Sequence, residues 1–442
     1  MKVLIKVALA LALATPALAQ QEGIFPFDYR LVELENGFKA YLIEAGAPNQ
    51  IAYVSIVRTG SRDEWEPGRS GYAHFFEHMM FRGTEKYPNY DAITAEIGAS
   101  RNAFTGNDQT VYYLVASNEY LEQIMDLESD RFMNLAYSEP DFRTEAGAVL
   151  GEYQQGALTP FRYLDEKLRE TAYDRHTYRH TTIGFEADVR AMPEGYDYSR
   201  SFYQRYYRPE NVVLVLAGDF DADVVEGLVR QYYSAWEPGY VQPQIPDEPP
   251  QQAPRRRTVD FPGRTLPILT VNYKGPAWSA TDRLAVATEV LGQVAFGSNS
   301  DIYGRLVIEE RRVQFLNGNF GLARDPALLS IMTMVVDPAD VGSVEREIQA
   351  TVDQFREELV DEKLFSDTKS NMKYGFLMGL ETAQNIAFSM IPYVINTGGI
   401  EAVNEYYNTL DSVTREDVRE AARRYLVETG KTVVTMVQAE GE

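Results

Sequence analysis

The stretch AHFFEHMMFRGTEKYP, from Ala73 to Pro88, carries the most specific chemical pattern in the sequence. It holds two of the four histidines in a chain of 442 residues. These are His74 and His78, and Glu77 directly precedes the second. Residues four apart on a helix share one face, about 6 Å apart along the axis, so both imidazoles can bind a single metal ion.

The flanking residues predict a helix of about three turns for this stretch. Ser70 suits the N-cap position, and Gly83 suits the end of the helix. Glu77 then borders the face shared by His74 and His78, close enough to act on a water molecule at the metal. This is the reverse of the H-E-x-x-H arrangement and serves the same chemistry. The alternative, two hydrogen-bonded core histidines, is less favoured because H-x-x-E-H rarely arises by chance.

A catalytic zinc ion usually takes three protein ligands, so a further ligand is needed. The acidic candidates are Glu145 and Glu152, in a predicted helix capped by Ser138. They are two turns apart and share an otherwise apolar face, where two carboxylates need a compensating cation. The remaining histidines, His176 and His180, lie in a turn-rich segment without a nearby glutamate, so we predict structural or loop-capping roles for them.

The first 19 residues have the pattern of a secretory signal peptide. Lys2 and Lys6 precede and flank a short apolar run, and the sequence ALA ends at Ala19. We expect cleavage after Ala19 and export as a periplasmic or secreted protein; a retained N-terminal anchor is the less favoured alternative. The run is too short to cross a bilayer and no other stretch is apolar enough, so we expect no membrane span.

Charge and composition limit the possible partners and chemistry. The formal net charge is −23, which argues against nucleic acid and anionic lipid as partners. Solubility explains this charge, although an acidic cavity for basic peptides is an alternative. The chain has no cysteine, so thiolate metal ligands and cysteine nucleophiles are excluded.

The chain divides at a proline-rich segment, residues 237–257, which carries six prolines. The parts on either side end alike, with a helix, a turn and a buried strand at 212–217 and at 432–437. We therefore predict an α+β protein of two tandem homologous domains, 20–236 and 258–442, each an antiparallel-rich sheet packed with helices. Coincidence is the alternative, since this unit is common. The metal motif lies in the first domain alone.

At these residues the chain resembles the insulinase/pitrilysin/mitochondrial processing peptidase family of zinc metallopeptidases, the inverzincins. HFFEHMMFRGTEKYP is similar to the active-site helix of that family, and EAGAVLGE to its downstream helix with two glutamates. IGASRNAFTGNDQTVYY and FYQRYYRPENVVLVLAGDFD match other parts of its first domain. The resemblance covers nearly the whole chain after residue 19, strongly to about residue 236 and weakly after it.

The resemblance implies a zinc-dependent endopeptidase with one zinc ion per chain. The implied zinc ligands are His74, His78 and Glu152. Glu77 would be the general base, and Glu145 would fix the orientation of a ligand histidine. The strand at Asn102 and Ala103 would bind the backbone of a peptide substrate as an added strand. Zinc is preferred over manganese or cobalt because the ligands would be two imidazoles and one carboxylate.

The resemblance also implies a partner, because family enzymes enclose a chamber between two halves and this chain has the length of one. In many members the far half supplies an arginine and, seven residues on, a tyrosine. The matching positions here are Val307 and Gln314, and nearby Arg305 and Arg311 are off register. We therefore expect a heterodimer with a homologous, metal-free subunit that carries the Arg/Tyr pair. A homodimer is the less favoured alternative.

Two other functions remain as alternatives. One is a non-catalytic structural or peptide-binding subunit of the same family, which typically loses its metal residues. Here both histidines of the motif and all three glutamates are present. The other is a zinc hydrolase that does not cleave peptides, and the Asn-Ala strand argues against it.

Overall fold

The computed structural model describes residues 23–46 and 48–439, so the predicted signal peptide lies outside the described residues. The first half of the chain forms a six-stranded sheet. Its strands are β1 (Tyr29–Glu33), β2 (Lys39–Glu44), β3 (Gln50–Val57), β4 (Ser100–Thr105), β5 (Thr110–Ser117) and β6 (Val212–Gly218). Their order is β1-β2-β6-β3-β5-β4, with β2 parallel to β6 and every other pair antiparallel.

The second half forms a five-stranded sheet with the same arrangement. Its strands are β7 (Arg255–Phe261), β8 (Ile268–Lys274), β9 (Val313–Asn319), β10 (Leu328–Val335) and β11 (Lys431–Gln438). The order β7-β11-β8-β10-β9 repeats β2-β6-β3-β5-β4 strand for strand. The one parallel pair, β7 with β11, also corresponds. This agreement confirms the predicted α+β fold of two tandem related domains.

Helices connect the strands of both sheets. The first half contains α1 (Tyr72–Met79), α2 (Tyr90–Glu96), α3 (Leu121–Asn134), α4 (Glu139–Gly156), α5 (Pro160–Ala172), α6 (Glu186–Ala191), α7 (Tyr196–Tyr206) and α8 (Ala222–Tyr233). The second half contains α9 (Arg283–Phe296), α10 (Asp301–Tyr303), α11 (Val341–Glu357), α12 (Glu362–Met378), α13 (Ala383–Thr397), α14 (Ala402–Ser412) and α15 (Arg415–Tyr425). Helix α4 begins directly after Ser138, as predicted, and α11 is amphipathic, with Val344, Ile348 and Val352 buried.

Each sheet is covered on one face by a helix from the other half. Side chains along β3 alternate between two apolar cores, with Tyr53 in one and Val54 in the other. The Val54 face packs against α13 of the second half, where Met390 and Val394 are fully buried. In return, α5 of the first half packs on β7 and β11 of the second sheet. Since each sheet needs both faces covered, neither half completes its core alone.

The proline-rich segment has no regular secondary structure from residue 237 to residue 254. Strand β7 begins at Arg255, so the last three residues of the expected linker, Arg255–Arg257, belong to the strand and pair in parallel with β11. The proposed domain boundaries themselves stay a prediction.

Within residues 23–46 and 48–439, no single helix is long and apolar enough to cross a bilayer. The helices α13 and α14 meet the criteria only as a pair, and they are bent by 87° relative to each other.

The exchange of α5 and α13 predicts that the two halves unfold together. A Met390→Ala variant should leave a cavity under the first sheet and lower the free energy of unfolding by about 2–5 kcal/mol. Scanning calorimetry should show the whole transition shifting as one peak, with equal calorimetric and van't Hoff enthalpies. Met378→Ala is the matched control, because Met378 is 72% exposed. Two separate transitions would contradict the prediction that the two halves unfold together.

Candidate metal centre

The helix that carries the two histidines, α1, is shorter than predicted. It spans Tyr72–Met79, about two turns rather than three, and ends four residues before Gly83. Its N-cap is Gly71, not Ser70, so that prediction was wrong. Gly71 has φ +92°, and a Cβ there would lie 2.5 Å from the carbonyl oxygen of Ile183. Only glycine fits this entry to the helix.

A buried carboxylate takes over the capping function. The side chain of Glu64 accepts hydrogen bonds of 2.7 Å from the backbone N–H groups of Gly71 and Ala73. The hydroxyl of Ser70 instead donates to Asp188 at 2.6 Å. Burial raises the pKa of Glu64, while the two backbone hydrogen bonds favour its charged form. The start of α1 is therefore held by a residue several positions before it.

The structure brings the two histidines of α1 together with a glutamate of α4. Glu152 Oε2 lies 3.5 Å from Nε2 of His74 and 3.6 Å from Nε2 of His78. The three candidate ligand atoms lie within 4.8 Å of one another, the only such group among the described residues. Two imidazole nitrogens and one carboxylate oxygen are a typical donor set for a catalytic zinc ion. The residues present therefore fit zinc.

Glu145 contacts the other ring nitrogen of His78. Its Oε1 lies 2.9 Å from Nδ1 of His78, and its Oε2 accepts a hydrogen bond of 3.0 Å from Nε of Arg82. A carboxylate on Nδ1 fixes the ring orientation and leaves Nε2 for a metal ion. Ser138 caps α4 as predicted, through a capping box with Asp141.

The charges of the site are strongly coupled. Burial lowers the pKa of His74 to about 4, so this imidazole is neutral near pH 7. The hydrogen bond to Glu145, together with the Glu152 carboxylate 3.6 Å from Nε2, raises the pKa of His78 to about 9. The nearby imidazole of His78 in turn lowers the pKa of Glu152 to about 2, and its hydrogen bond lowers the pKa of Glu145 as well. In the protein alone, a cationic imidazole lies between two carboxylates, which indicates a site suited to a cation.

Glu77 lies beside this group and at the end of a sheet edge. Its Oε2 accepts a hydrogen bond of 2.5 Å from the hydroxyl of Thr105, the last residue of β4. Burial raises the pKa of Glu77, which the Thr105 hydrogen bond partly opposes. Glu77, His78 and Asn102 line one open cleft of about 510 Å³. The cleft gives a substrate access to Glu77 and to the imidazole of His78.

The predicted substrate-binding residues lie on the outermost strand of the first sheet. Strand β4 is last in the strand order and pairs with β5, so its other edge is open within the described part of the chain. The side chain of Asn102 is exposed, whereas Ala103 is 7% exposed. Such an edge can accept an extended peptide.

The other two histidines have structural contacts, as predicted. Nε2 of His176 lies 2.9 Å from Asp325, and Nδ1 accepts a hydrogen bond from the N–H of Tyr178. His180 is 3% exposed and its Nδ1 lies 2.9 Å from the carbonyl oxygen of Thr181. Neither belongs to the group at His74.

Sequence reasoning missed four residues that contact the site or hold it. They are Glu64, Arg82, Thr105 and Arg162. Arg82 stands within the stretch that carries the motif, four residues after His78, so its spacing offered a signal. Glu64 precedes α1, Thr105 ends β4 and Arg162 lies in the first turn of α5, so they reach the site through tertiary packing that no local pattern specifies.

Comparison with known proteins identifies the family of this chain. Residues 41–185 match the family model described as Insulinase (Peptidase family M16), and residues 195–372 match the model described as Peptidase M16 inactive domain. The chain belongs to peptidase family M16. All four histidines precede the second matched range. The second M16 domain therefore repeats the fold of the first without its metal motif.

Named relatives and solved structures extend over most of this M16 chain. The zinc protease PqqE of Helicobacter pylori is 25% identical over 414 residues, which are 91% of this chain and 91% of that protein. The crystal structure of a protease from Helicobacter pylori matches with a TM-score of 0.86 at 23% identity, covering 93% of this chain and 99% of the other. The periplasmic protease PqqL of Escherichia coli matches with a TM-score of 0.76 at 18% identity, covering 94% of this chain and 48% of the longer one.

The geometry predicts that Glu152 is required for metal binding. A Glu152→Gln variant should bind zinc more than about 100-fold more weakly, because an amide oxygen replaces the charged ligand. Zinc affinity can be measured by competition with a chromophoric chelator. Glu139→Gln, on the exposed first turn of the same helix, is the matched control. Equal zinc affinity in both variants would show that Glu152 is not a ligand.

Proposed function

We propose that this chain is a zinc-dependent endopeptidase, in which His74, His78 and Glu152 bind the metal and Glu77 is the general base. The observation that carries the proposal is the position of Glu77, adjacent in sequence to His78 and facing the same cleft as that imidazole. A bound zinc ion would polarise the scissile carbonyl group and increase the acidity of a water molecule.

Glu77 is suited to proton transfer by its surroundings. Burial raises its pKa toward the range where a carboxylate both accepts and returns a proton. The hydroxyl of Thr105 donates to Oε2 and orients the carboxylate, so that the other oxygen can face the water. Glu77 takes the proton from water during attack and passes it to the leaving amine. No covalent intermediate with the protein is required.

The open edge of β4 supports a peptide substrate in an extended conformation. An added strand pairs through main-chain N–H and C=O groups, so recognition at Asn102 and Ala103 would depend weakly on side chains. Such pairing requires an extended, unpaired backbone. The proposed substrates are therefore peptides and unfolded segments rather than folded domains.

The general-base role of Glu77 predicts separate effects on binding and chemistry. A Glu77→Gln variant should keep zinc in a 1:1 ratio but hydrolyse a fluorogenic peptide at least about 100-fold more slowly. Glu119→Gln, an exposed glutamate of the same half, is the matched control. If the wild-type chain binds no zinc and shows no hydrolysis that a chelator stops, it is a non-catalytic subunit instead.

We also propose that the catalytic unit is a heterodimer. At the positions matching the family's Arg/Tyr pair, Val307 is partly buried and Gln314 is exposed on β9. Arg305 is off register with the arginine position and forms an ion pair with Glu347. This chain also matches about half of the longer E. coli protease. A homologous, metal-free subunit with the missing pair would complete the chamber.

The partner requirement can be tested with the purified chain. Alone, it should cleave a fluorogenic peptide slowly, and addition of a homologous subunit carrying the Arg/Tyr pair should raise kcat/KM. The control is the same subunit with both residues replaced by alanine. Full activity of the single chain, with no gain from the partner, would exclude a heterodimer requirement.

Two predictions from the sequence complete the proposal. The protein would be exported, with a mature chain from Gln20, and its domains would span 20–236 and 258–442 on either side of the linker. N-terminal sequencing of the exported protein and limited proteolysis test these boundaries directly.

A further inference from the structure

The two oxygens of Glu152 have different partners. Oε2 faces the two imidazoles of α1, at 3.5 Å from His74 and 3.6 Å from His78. Oε1 accepts a hydrogen bond of 3.0 Å from the guanidinium of Arg162. One oxygen is therefore directed to the candidate metal position, and the other is held by an arginine from a different helix.

The link between α4 and α5 places Arg162 over the end of α4. Helix α4 ends at Gly156 and α5 begins at Pro160, so three residues make the turn. The hydroxyl of Thr159 donates to the carbonyl oxygen of Gly156 at 2.7 Å and closes this turn. Arg162, in the first turn of α5, then reaches back along the face of α4 that carries Glu152.

Gly156 provides the space for this arginine. Glu152 and Gly156 are one helical turn apart, on the same face of α4. A Cβ at Gly156 would lie 2.6 Å from Nη1 of Arg162 and 3.1 Å from its Cδ. The guanidinium thus passes over the glycine on its way to Glu152. Any larger residue at this position would displace it.

The position of Arg162 is also set by the second domain. Leu164 and Leu168 of α5 are buried in a cluster with Val434 and Met436 of β11. Because α5 is anchored on the second sheet, Arg162 does not move freely with α4. The guanidinium connects the second domain to the carboxylate at the metal site.

We propose that Arg162 is a positioning residue for the metal site: it fixes Glu152 so that Oε2 points at His74 and His78. This inference rests on the proposed function. A free glutamate side chain samples several rotamers and loses that freedom on binding a metal ion. Arg162 removes much of this freedom before the ion arrives, as outer partners of metal ligands generally do.

An ordinary surface ion pair is the competing explanation. Arg143 on the same helix forms one, with Glu139 and Glu194, and makes no contact with the histidines. Exposed pairs of that kind contribute little. Arg162 differs because its partner is only 35% exposed and faces two imidazoles. The two arginines therefore make a matched test pair.

The experiment measures zinc affinity by chelator competition in Arg162→Ala, Arg162→Lys and Gly156→Ala, with Arg143→Ala as the control. Arg162→Ala should weaken zinc binding about 10- to 100-fold, and Arg162→Lys should recover part of the loss. Gly156→Ala should weaken it as well, although alanine favours the helix and the melting temperature should not fall. Arg143→Ala should bind zinc like the wild type.

The outcomes separate this inference from the proposed function. If the wild-type chain binds no zinc, the proposed function fails. If the wild-type chain binds zinc and Arg162→Ala binds it equally or more tightly, the positioning role alone is overturned. A loss of zinc affinity in Arg143→Ala as large as in Arg162→Ala would also overturn it, because the effect would then be general to the surface charge of α4.

Discussion

The structure of the site depends on the contact between two carboxylates of α4 and the imidazoles of α1. Glu145 and Glu152 lie on one face of a packed helix, where unpaired charges would be costly. Both are compensated by His78, and each has an arginine on its second oxygen, Arg82 for Glu145 and Arg162 for Glu152. Because the two oxygens of each carboxylate have different partners, each carboxylate is held in one orientation. One oxygen of Glu152 and one nitrogen each of His74 and His78 lie within 4.8 Å of one another, close enough to hold a metal ion.

That contact is maintained by helices exchanged between the two halves. The helix after α4 covers the second sheet, and α13 of the second half covers the first sheet. Through this exchange a domain without histidines contacts a helix that reaches the candidate metal site. The second sheet packs against α5, and α5 carries Arg162, whose guanidinium donates a hydrogen bond to Glu152. The second domain therefore supports a helix of the first domain, in addition to forming its own half of the molecule.

The duplication shows how two copies of one fold have diverged. Helix α9 follows β8 as α1 follows β3, yet its sequence, RLAVATEVLGQVAF, contains no histidine, and most residues of both helices are buried. In the first domain, α1 carries His74, Glu77 and His78 and begins at Gly71. The buried side chain of Glu64 accepts hydrogen bonds from its first N–H groups. The same topology thus carries the H-x-x-E-H motif in the first domain and no histidine in the second.

The sequence by itself predicted the α+β fold class, the internal repeat and two helices, one with His74, Glu77 and His78 and one with Glu145 and Glu152, whose roles the family resemblance implied. These features are local: hydrophobic period, capping residues, and the spacing of ligands along a helix. Tertiary structure decided the rest. The N-cap of α1 is Gly71 rather than the predicted Ser70. The side chain of Glu64, which lies outside the helix, accepts hydrogen bonds from the N–H groups of Gly71 and Ala73. Arg162 reaches Glu152 only because a tight turn and the second sheet orient α5, and long-range packing of this kind leaves no periodic mark in the sequence.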